Sequence, residues 1–526
     1  MIKKFVLAIV CLILVSLVAA QTQTISIGGV QRPVTGVPLY DYVGTRDPNF
    51  AWREIGTLDG LGWKGTLLNV TSQQWLTPEE TENSLWSHLL LVIRPWSVQN
   101  EELGALYVGG SSNSKQTVSL TDIEVMVGSV MAVDAQVTTG VLFQVPNQGI
   151  VMKNDPELKS RKEDDFVAYT WKKFTENPSR PDATAYFPMV KSVVAALDAI
   201  TEFSEAKVAA GEWDKAVKKF YLTGLSKRAA TTWFAAAYEG SRPAAERRIV
   251  GAAPIAFDTL NFSVVVPKMF EYYGGWTFAF KDYHKQGITG MIGTPAMDLL
   301  SSVVDPLYPA YAPGLANVEV LYVSTSGDEF FDLSNDRYWW NALSSTKKYR
   351  YIAPNTEHTT YTGIVGILQS IVKHLDAIAS QRKRPTLNWN FDSYGKLTFT
   401  TDVLPLSVKI YRAETLQTTP RRRDFRLVVA KPESGCQFPQ VEIDAETCAN
   451  PVLWFSNPFV IPIYKNGKWV YTYTEKVSST SPNWVGYYLM ATYADGQVYT
   501  TQANVLPDVN PYPPCGAGDA CIGTLV

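Results

Sequence analysis

A mostly parallel α/β sheet with helices on both faces, followed by a small β-sandwich, is the fold class that this sequence predicts. From about Trp63 to Ser380, short apolar runs alternate with amphipathic helical segments, the pattern of strands buried on both sides. After Arg384-Pro385 the pattern gives way to short alternating runs separated by Gly, Pro and Asn, as in an antiparallel sandwich of immunoglobulin-like size. At 526 residues the chain also exceeds what one hydrophobic core organises, so two folded units are expected.

Composition narrows the function classes. Hydrophobic residues at 46% against 18% charged describe a globular chain, and 15 Trp, 27 Tyr and 22 Phe supply ample apolar surface for two cores. A formal net charge of -3 leaves no basic footprint for nucleic acid; Arg421-Arg422-Arg423 reads as a solvated loop.

Residues 1–20 carry Lys3-Lys4, an apolar run from Phe5 to Val18 and Ala19-Ala20 before a polar stretch, which is the layout of a secretory signal peptide. No later run is long enough to span a bilayer, so a secreted, extracellular mature chain without a membrane span is expected. Cys11 leaves with the leader. Cys436, Cys448, Cys515 and Cys521 remain, an even set that fits disulfides in three possible pairings, the sequence-local one being simplest. Asn69 and Asn261 open glycosylation sequons.

Residues 21–385 are read as the α/β unit. Gln21 to Phe50 is an extended lead-in; strands follow at Trp63–Val70, Trp86–Ile93, Ala105–Val108 and Val141–Val145, with a helix over Leu120–Ala132. Helices over Asp164–Phe174 and Pro188–Glu205 lead to a strand at Phe220–Thr223, then to Gly224-Leu225-Ser226-Lys227-Arg228 and an alanine-rich helix. Strands at Arg247–Ala253, Val318–Ser324 and Tyr349–Ile352 and a helix over Gly363–Ser380 complete the unit, with an aromatic-rich insertion at about 254–317. Residues 386–506 form the predicted sandwich and 507–526 a Pro/Gly-rich tail.

A serine at a strand-to-helix corner is the outline of a nucleophile elbow, although Arg228 stands where the second glycine of Gly-x-Ser-x-Gly belongs. A serine hydroxyl needs a base, and the base needs an acid to orient it. Of four histidines, His88 lies inside an apolar strand, His284 in the insertion and His374 on a helix. His358 follows the strand Tyr349–Ile352 by a short loop, and Asp328 follows Val318–Ser324, so both project from the carboxyl end of the sheet. The order Ser226, Asp328, His358 is that of α/β-hydrolases, with Asp332 as an alternative acid and the N–H groups of Lys227 and of Gly109 or Gly110 as oxyanion donors. No metal and no cofactor is expected: there is no His-Glu-x-x-His, and Gly109-Gly110 lacks the spacing of a dinucleotide loop.

Several motifs now fall in register with one family. Gly224-Leu225-Ser226-Lys227-Arg228 with Thr231-Thr232-Trp233, Pro188-Met189-x-Lys191, Gly327-Asp328-Glu329-Phe330-Phe331 and Pro354-Asn355-x-x-His358 resemble the PhoPQ-activated pathogenicity-related family from about Asp41 to Leu506. The resemblance implies an α/β-hydrolase-like unit followed by a small β unit, and through amoebal members a secreted signal that restrains proliferation. In that pattern a glycine commonly follows Ser-Lys-Arg, where this chain has Ala229. Two readings follow. One is a secreted serine hydrolase acting on a peptide or ester, with a peptidase favoured because the aromatics at 272–283 can narrow the entrance and the β unit can select chain ends. The other is a signalling protein that uses the same scaffold to bind a cell-surface receptor.

Overall fold

The computed structural model describes residues 24–27, 30–33, 37–457, 461–478 and 481–526. The signal peptide expected at 1–20 lies outside them. Nine strands form the main sheet: β1 (Ala51–Gly60), β2 (Trp63–Gln74), β3 (Leu85–Pro95), β4 (Leu103–Val108), β5 (Thr138–Leu142), β6 (Lys219–Leu225), β7 (Ile249–Ile255), β8 (Glu319–Thr325) and β9 (Lys348–Ala353). Their spatial order is β9-β8-β7-β6-β4-β5-β3-β2-β1. The six strands from β9 to β5 run parallel, while β3, β2 and β1 pair antiparallel. The β4/β5 reversal in an otherwise stepwise order is that of an α/β-hydrolase sheet.

The parallel strands are buried almost throughout, as their unbroken apolar runs require. Helices cover both faces: α2 (Ile123–Ala135) and α9 (Ile364–Ala379) on one, α4 (Tyr186–Ala209) and α5 (Lys227–Ser241) on the other. Two elements at the start depart from the sequence reading. The lead-in contains a helix, α1 (Pro38–Gly44), with proline at the first turn and Leu39 and Val43, four residues apart, both buried. Strand β1 also precedes the expected first strand; its faces are both largely exposed, so it carries no clean alternation, as suits a charged edge.

The insertion after β7 holds α6 (Phe262–Tyr273), α7 (Lys281–Lys285) and α8 (Pro295–Val304). Between α4 and β5 in the chain lies α3 (Glu163–Glu176), whose N-terminus matters below.

Beyond residue 386 the strands are antiparallel. One sheet joins 387–391, 396–401, 468–474 and 463–465, and a second joins 455–457, 407–414, 485–492 and 498–500. They face each other through Tyr473 and Tyr487 (ring centroids 5.6 Å apart) and through the Tyr487 hydroxyl, which donates to Gly395 O at 2.8 Å. A small three-stranded sheet carries the Cys436–Cys448 disulfide, and Cys515–Cys521 closes the tail, the sequence-local pairing. Among the described residues no helix is long and apolar enough to cross a membrane.

Two expectations fail here. Asn261 is wholly buried and donates through Nδ2 to Tyr338 O at 3.0 Å, which leaves no room for a glycan there. The arginine run is not a solvated loop either. Arg422 donates to Tyr273 O, and Arg423 is buried, stacked on Tyr272 at 4.1 Å with Ser334 as hydrogen-bond partner, so the run fastens the insertion to the C-terminal segment.

Candidate active site

The corner after β6 is held in an unusual backbone conformation. Ser226 has φ 58° and ψ -124°, a region that costs a non-glycine residue roughly 1–3 kcal/mol and persists only where the surroundings enforce it. Its N–H donates to Ile255 O of β7 at 2.8 Å. Gly224 permits the tight return, because a Cβ there would lie 2.8 Å from Arg228 O.

Arg228, in the place of the second elbow glycine, points away from the turn. Its guanidinium makes two 2.7 Å bonds to the Glu163 carboxylate at the start of α3 and a third to Val145 O at 2.6 Å. Lys227 Nζ reaches the same carboxylate at 2.9 Å. Burial would raise the Glu163 pKa, but the two cations outweigh it and hold the carboxyl far below its ordinary range. The room for Arg228 comes from Gly110, where a Cβ would meet Nη2 at 2.7 Å.

The loops after β8 and β9 converge on the corner. His358 Nε2 lies 2.8 Å from Ser226 Oγ, and Nδ1 lies 2.9 and 3.0 Å from the two oxygens of Asp328. Asp328 is fixed by Thr325 Oγ1, which donates to Oδ2, and by the N–H groups of Phe330 and Phe331, which donate to Oδ1. The Phe330 ring packs on the imidazole with centroids 4.4 Å apart. Asp332 takes no part: it accepts from Ser334 and faces Arg423, 3.7 Å away. Burial alone would lower the His358 pKa, yet the Asp328 charge and hydrogen bond, with Glu329 behind them, raise it above 6.5.

The remaining histidines have structural partners. His88 sits between Ser72 Oγ and Phe143 O, and burial lowers its pKa to about 4. His374 bridges the Tyr221 hydroxyl and Glu319, and His284 contacts Gly523 O. Of the two glycines considered as oxyanion donors, Gly109 is excluded, because its N–H continues the strand pairing to Leu142 O at 2.7 Å. Gly110 remains, together with the Lys227 N–H, which as the first in α5 has no partner within its helix.

Ser226 and His358 open onto a cleft of about 480 Å³ whose lining comes from residues between 107 and 364. The C-terminal sheets therefore do not line it, and the expectation that they select chain ends fails. Residues just ahead of their strands brace its loops instead: Asn355 exchanges two hydrogen bonds with the Trp454 backbone, and Leu427 N–H donates to Gly327 O beside Asp328. The aromatics at 272–283 do not act as one gate either. Tyr272, Tyr273 and Trp276 are buried, Trp276 against the Cys521 loop, and only Phe280 and Tyr283 border the space beside Ser226.

The profile of the PhoPQ-activated pathogenicity-related proteins matches residues 39–426, which include the corner at Ser226 and the loops that carry Asp328 and His358. The chain belongs to this family. A relative from Dictyostelium discoideum, autocrine proliferation repressor protein A, is 30% identical over 506 residues, covering 93% of this chain and 94% of its own. Among solved structures, an acetyl xylan esterase from Paenibacillus sp. R4 aligns at 11% identity and a TM-score of 0.40, over 64% of this chain and 92% of its own. An esterase from Rhizomucor miehei aligns at 14% identity and a TM-score of 0.36, over 65% and 88%.

Glu329 is the site residue that sequence reasoning passed over. Its Oε2 accepts the His358 backbone N–H at 2.8 Å, while Oε1 is buried without a partner. Burial first, then the neighbouring Asp328 charge, push its pKa up to about 7. In the unfolded chain it titrates near 4.5, so between these values the folded protein holds a proton that the unfolded chain has released, and stability falls as pH rises through that window. Glu329→Gln, which cannot ionise, is expected to match the wild type near pH 5 and to exceed it at pH 8, by at most about 3 kcal/mol. Denaturant titrations at the two pH values check this; an equal difference at both would contradict it.

Proposed function

We propose that this family member is a secreted serine hydrolase that acts on an ester or amide carbonyl through Ser226, His358 and Asp328. The observation that carries the reading is the continuous hydrogen-bond chain from Ser226 Oγ through both ring nitrogens of His358 to Asp328, at a serine with positive φ. Ser226 Oγ attacks the carbonyl carbon while its proton passes to His358 Nε2. Asp328 keeps the Nδ1 proton in place and balances the imidazolium. The N–H groups of Lys227 and Gly110 face the developing oxyanion, each worth roughly 3–4 kcal/mol in comparable sites. His358 then protonates the leaving group, and a water that gives its proton to His358 attacks the acyl-serine, breaking its bond to Oγ, so that the acid leaves and Ser226 regains its proton. Secretion rests on the leader at 1–20 and on the two disulfides.

The pH profile tests the base. With the His358 pKa raised, the imidazole is protonated and unable to accept a proton below a midpoint above 6.5, so kcat/KM is expected to fall as pH drops through that point. A rate that stays flat from pH 5 to 8 would contradict the assignment.

A signalling role has one observation in its favour, the similarity to a protein named an autocrine proliferation repressor. It is compatible with catalysis. If the chain restrains proliferation through a cell-surface receptor alone, purified Ser226→Ala protein will restrain cells as well as the wild type; if hydrolysis is the signal, it will not.

A further inference from the structure

Ser226 stands between two spaces of very different size. On one side is the cleft of about 480 Å³, which His358 and Gly110 border. On the other is an aromatic pocket of about 20 Å³ bordered by neither, with Trp171, Phe257, Phe262, Phe280, Tyr283 and Phe331 in its wall. A volume of that size takes about one water molecule or one methyl group.

The three substituents of a tetrahedral carbon on Ser226 Oγ have to part company. The oxyanion turns to Gly110 and Lys227. The leaving group must lie within reach of His358 Nε2, which protonates it, so it occupies the cleft. What is left for the aromatic pocket is the acyl substituent.

The pocket wall is set by packing rather than by loose side chains. Trp171 of α3 lies 5.0 Å from Tyr283 and 5.5 Å from Phe262 between ring centroids, and Phe280 lies 4.8 Å from Tyr283. Tyr283 is pinned by its hydroxyl, which donates to Asp164 at 2.8 Å, and Asp164 is in turn 3.3 Å from Lys227 Nζ. Tyr283, Asp164 and Lys227 thus satisfy one another; Tyr186 and Thr259 also line the pocket and Trp171 Nε1 is buried without a partner among the described residues, so the hollow is mainly aromatic with a few polar atoms in its wall.

Resting on the serine-hydrolase reading above, we propose that this pocket is the acyl site and that it admits nothing larger than the methyl of an acetyl group. The substrate class is an acetyl ester of a bulky alcohol held in the cleft. Ser226 Oγ bonds to the acetyl carbon, the bond from that carbon to the alcohol oxygen breaks, and the oxygen leaves with the proton that His358 took from the serine. Water then attacks acetyl-Ser226, gives its proton to His358 and releases acetic acid as the serine oxygen regains a proton. The sum is ester plus water to acetic acid plus alcohol. A peptidase would need room on the acyl side for the rest of a chain, which this pocket does not offer.

The test is the rate on p-nitrophenyl acetate, butyrate and octanoate, which share one leaving group, for the wild type, Phe280→Ala and the milder Phe280→Leu. The wild type is expected to lose at least about 10-fold in kcat/KM from acetate to butyrate, since one added methylene is worth that much in a filled pocket, and more to octanoate. Either Phe280 variant that folds should shift the ratio toward butyrate. A wild type that hydrolyses butyrate or octanoate as fast as acetate overturns the acyl-site proposal while leaving the serine-hydrolase reading standing. A folded wild type that hydrolyses none of the three and does not react with a fluorophosphonate overturns both.

Discussion

Ser226→Ala is expected to lower kcat by roughly 10⁴- to 10⁶-fold, the range seen when the nucleophile of a triad is removed and only binding and oxyanion contacts remain. The fold should survive the change. The strained φ of Ser226 is enforced by its backbone bond to Ile255 and by Gly224, neither of which involves the hydroxyl, and among the described residues the side-chain partner of Oγ is His358. Circular dichroism and thermal unfolding close to wild type, together with lost turnover on the preferred ester, make the expected pair of results. Turnover within 10-fold of wild type would mean that another group attacks.

Asp328→Asn carries the second-largest expected effect, a fall in kcat of about 10⁴-fold. The geometry gives the reason. Asp328 Oδ1 accepts the N–H groups of Phe330 and Phe331, so an asparagine oxygen settles there and its NH2 takes the place of Oδ2. That NH2 faces His358 Nδ1, which must then accept. The ring proton moves to Nε2 and points at Ser226 Oγ, where it cannot act as a base. Asp332→Asn serves as the comparison, with kcat expected within a few-fold of wild type because Asp332 faces Ser334 and Arg423 rather than the imidazole. Comparable losses in the two variants would move the acid role away from Asp328.

The parallel strands and the corner at Ser226 were legible in the sequence because each depends on local pattern: apolar runs of strand length, helical periodicity and a glycine two residues before the serine. The convergence of Asp328 and His358 could be anticipated because strand ends in a parallel sheet share one edge. What was not legible depends on contacts between distant segments. Glu329 looks like a turn residue until its carboxyl is found under the His358 backbone. Arg228 reads as a flaw in the elbow until Glu163, sixty-five positions earlier, supplies a carboxylate and Gly110 supplies space. The same holds for Asn261, whose sequon gives no sign of the Tyr338 carbonyl that takes its amide, and for Gly109, whose N–H was committed to Leu142 by a strand register that composition cannot specify. The role of the C-terminal sheets was misread for a related reason. Their position relative to the cleft is set by Asn355, Trp454 and Leu427, single residues with no pattern to betray them.

The central claim, an activated serine at the elbow, is tested most directly by labelling the purified protein with a fluorophosphonate and mapping the modified peptide. The arrangement of Ser226, His358 and Asp328 predicts one label, on Ser226, absent from folded Ser226→Ala and from folded His358→Ala. A folded wild type that takes no label, or takes it on another residue, would contradict the account.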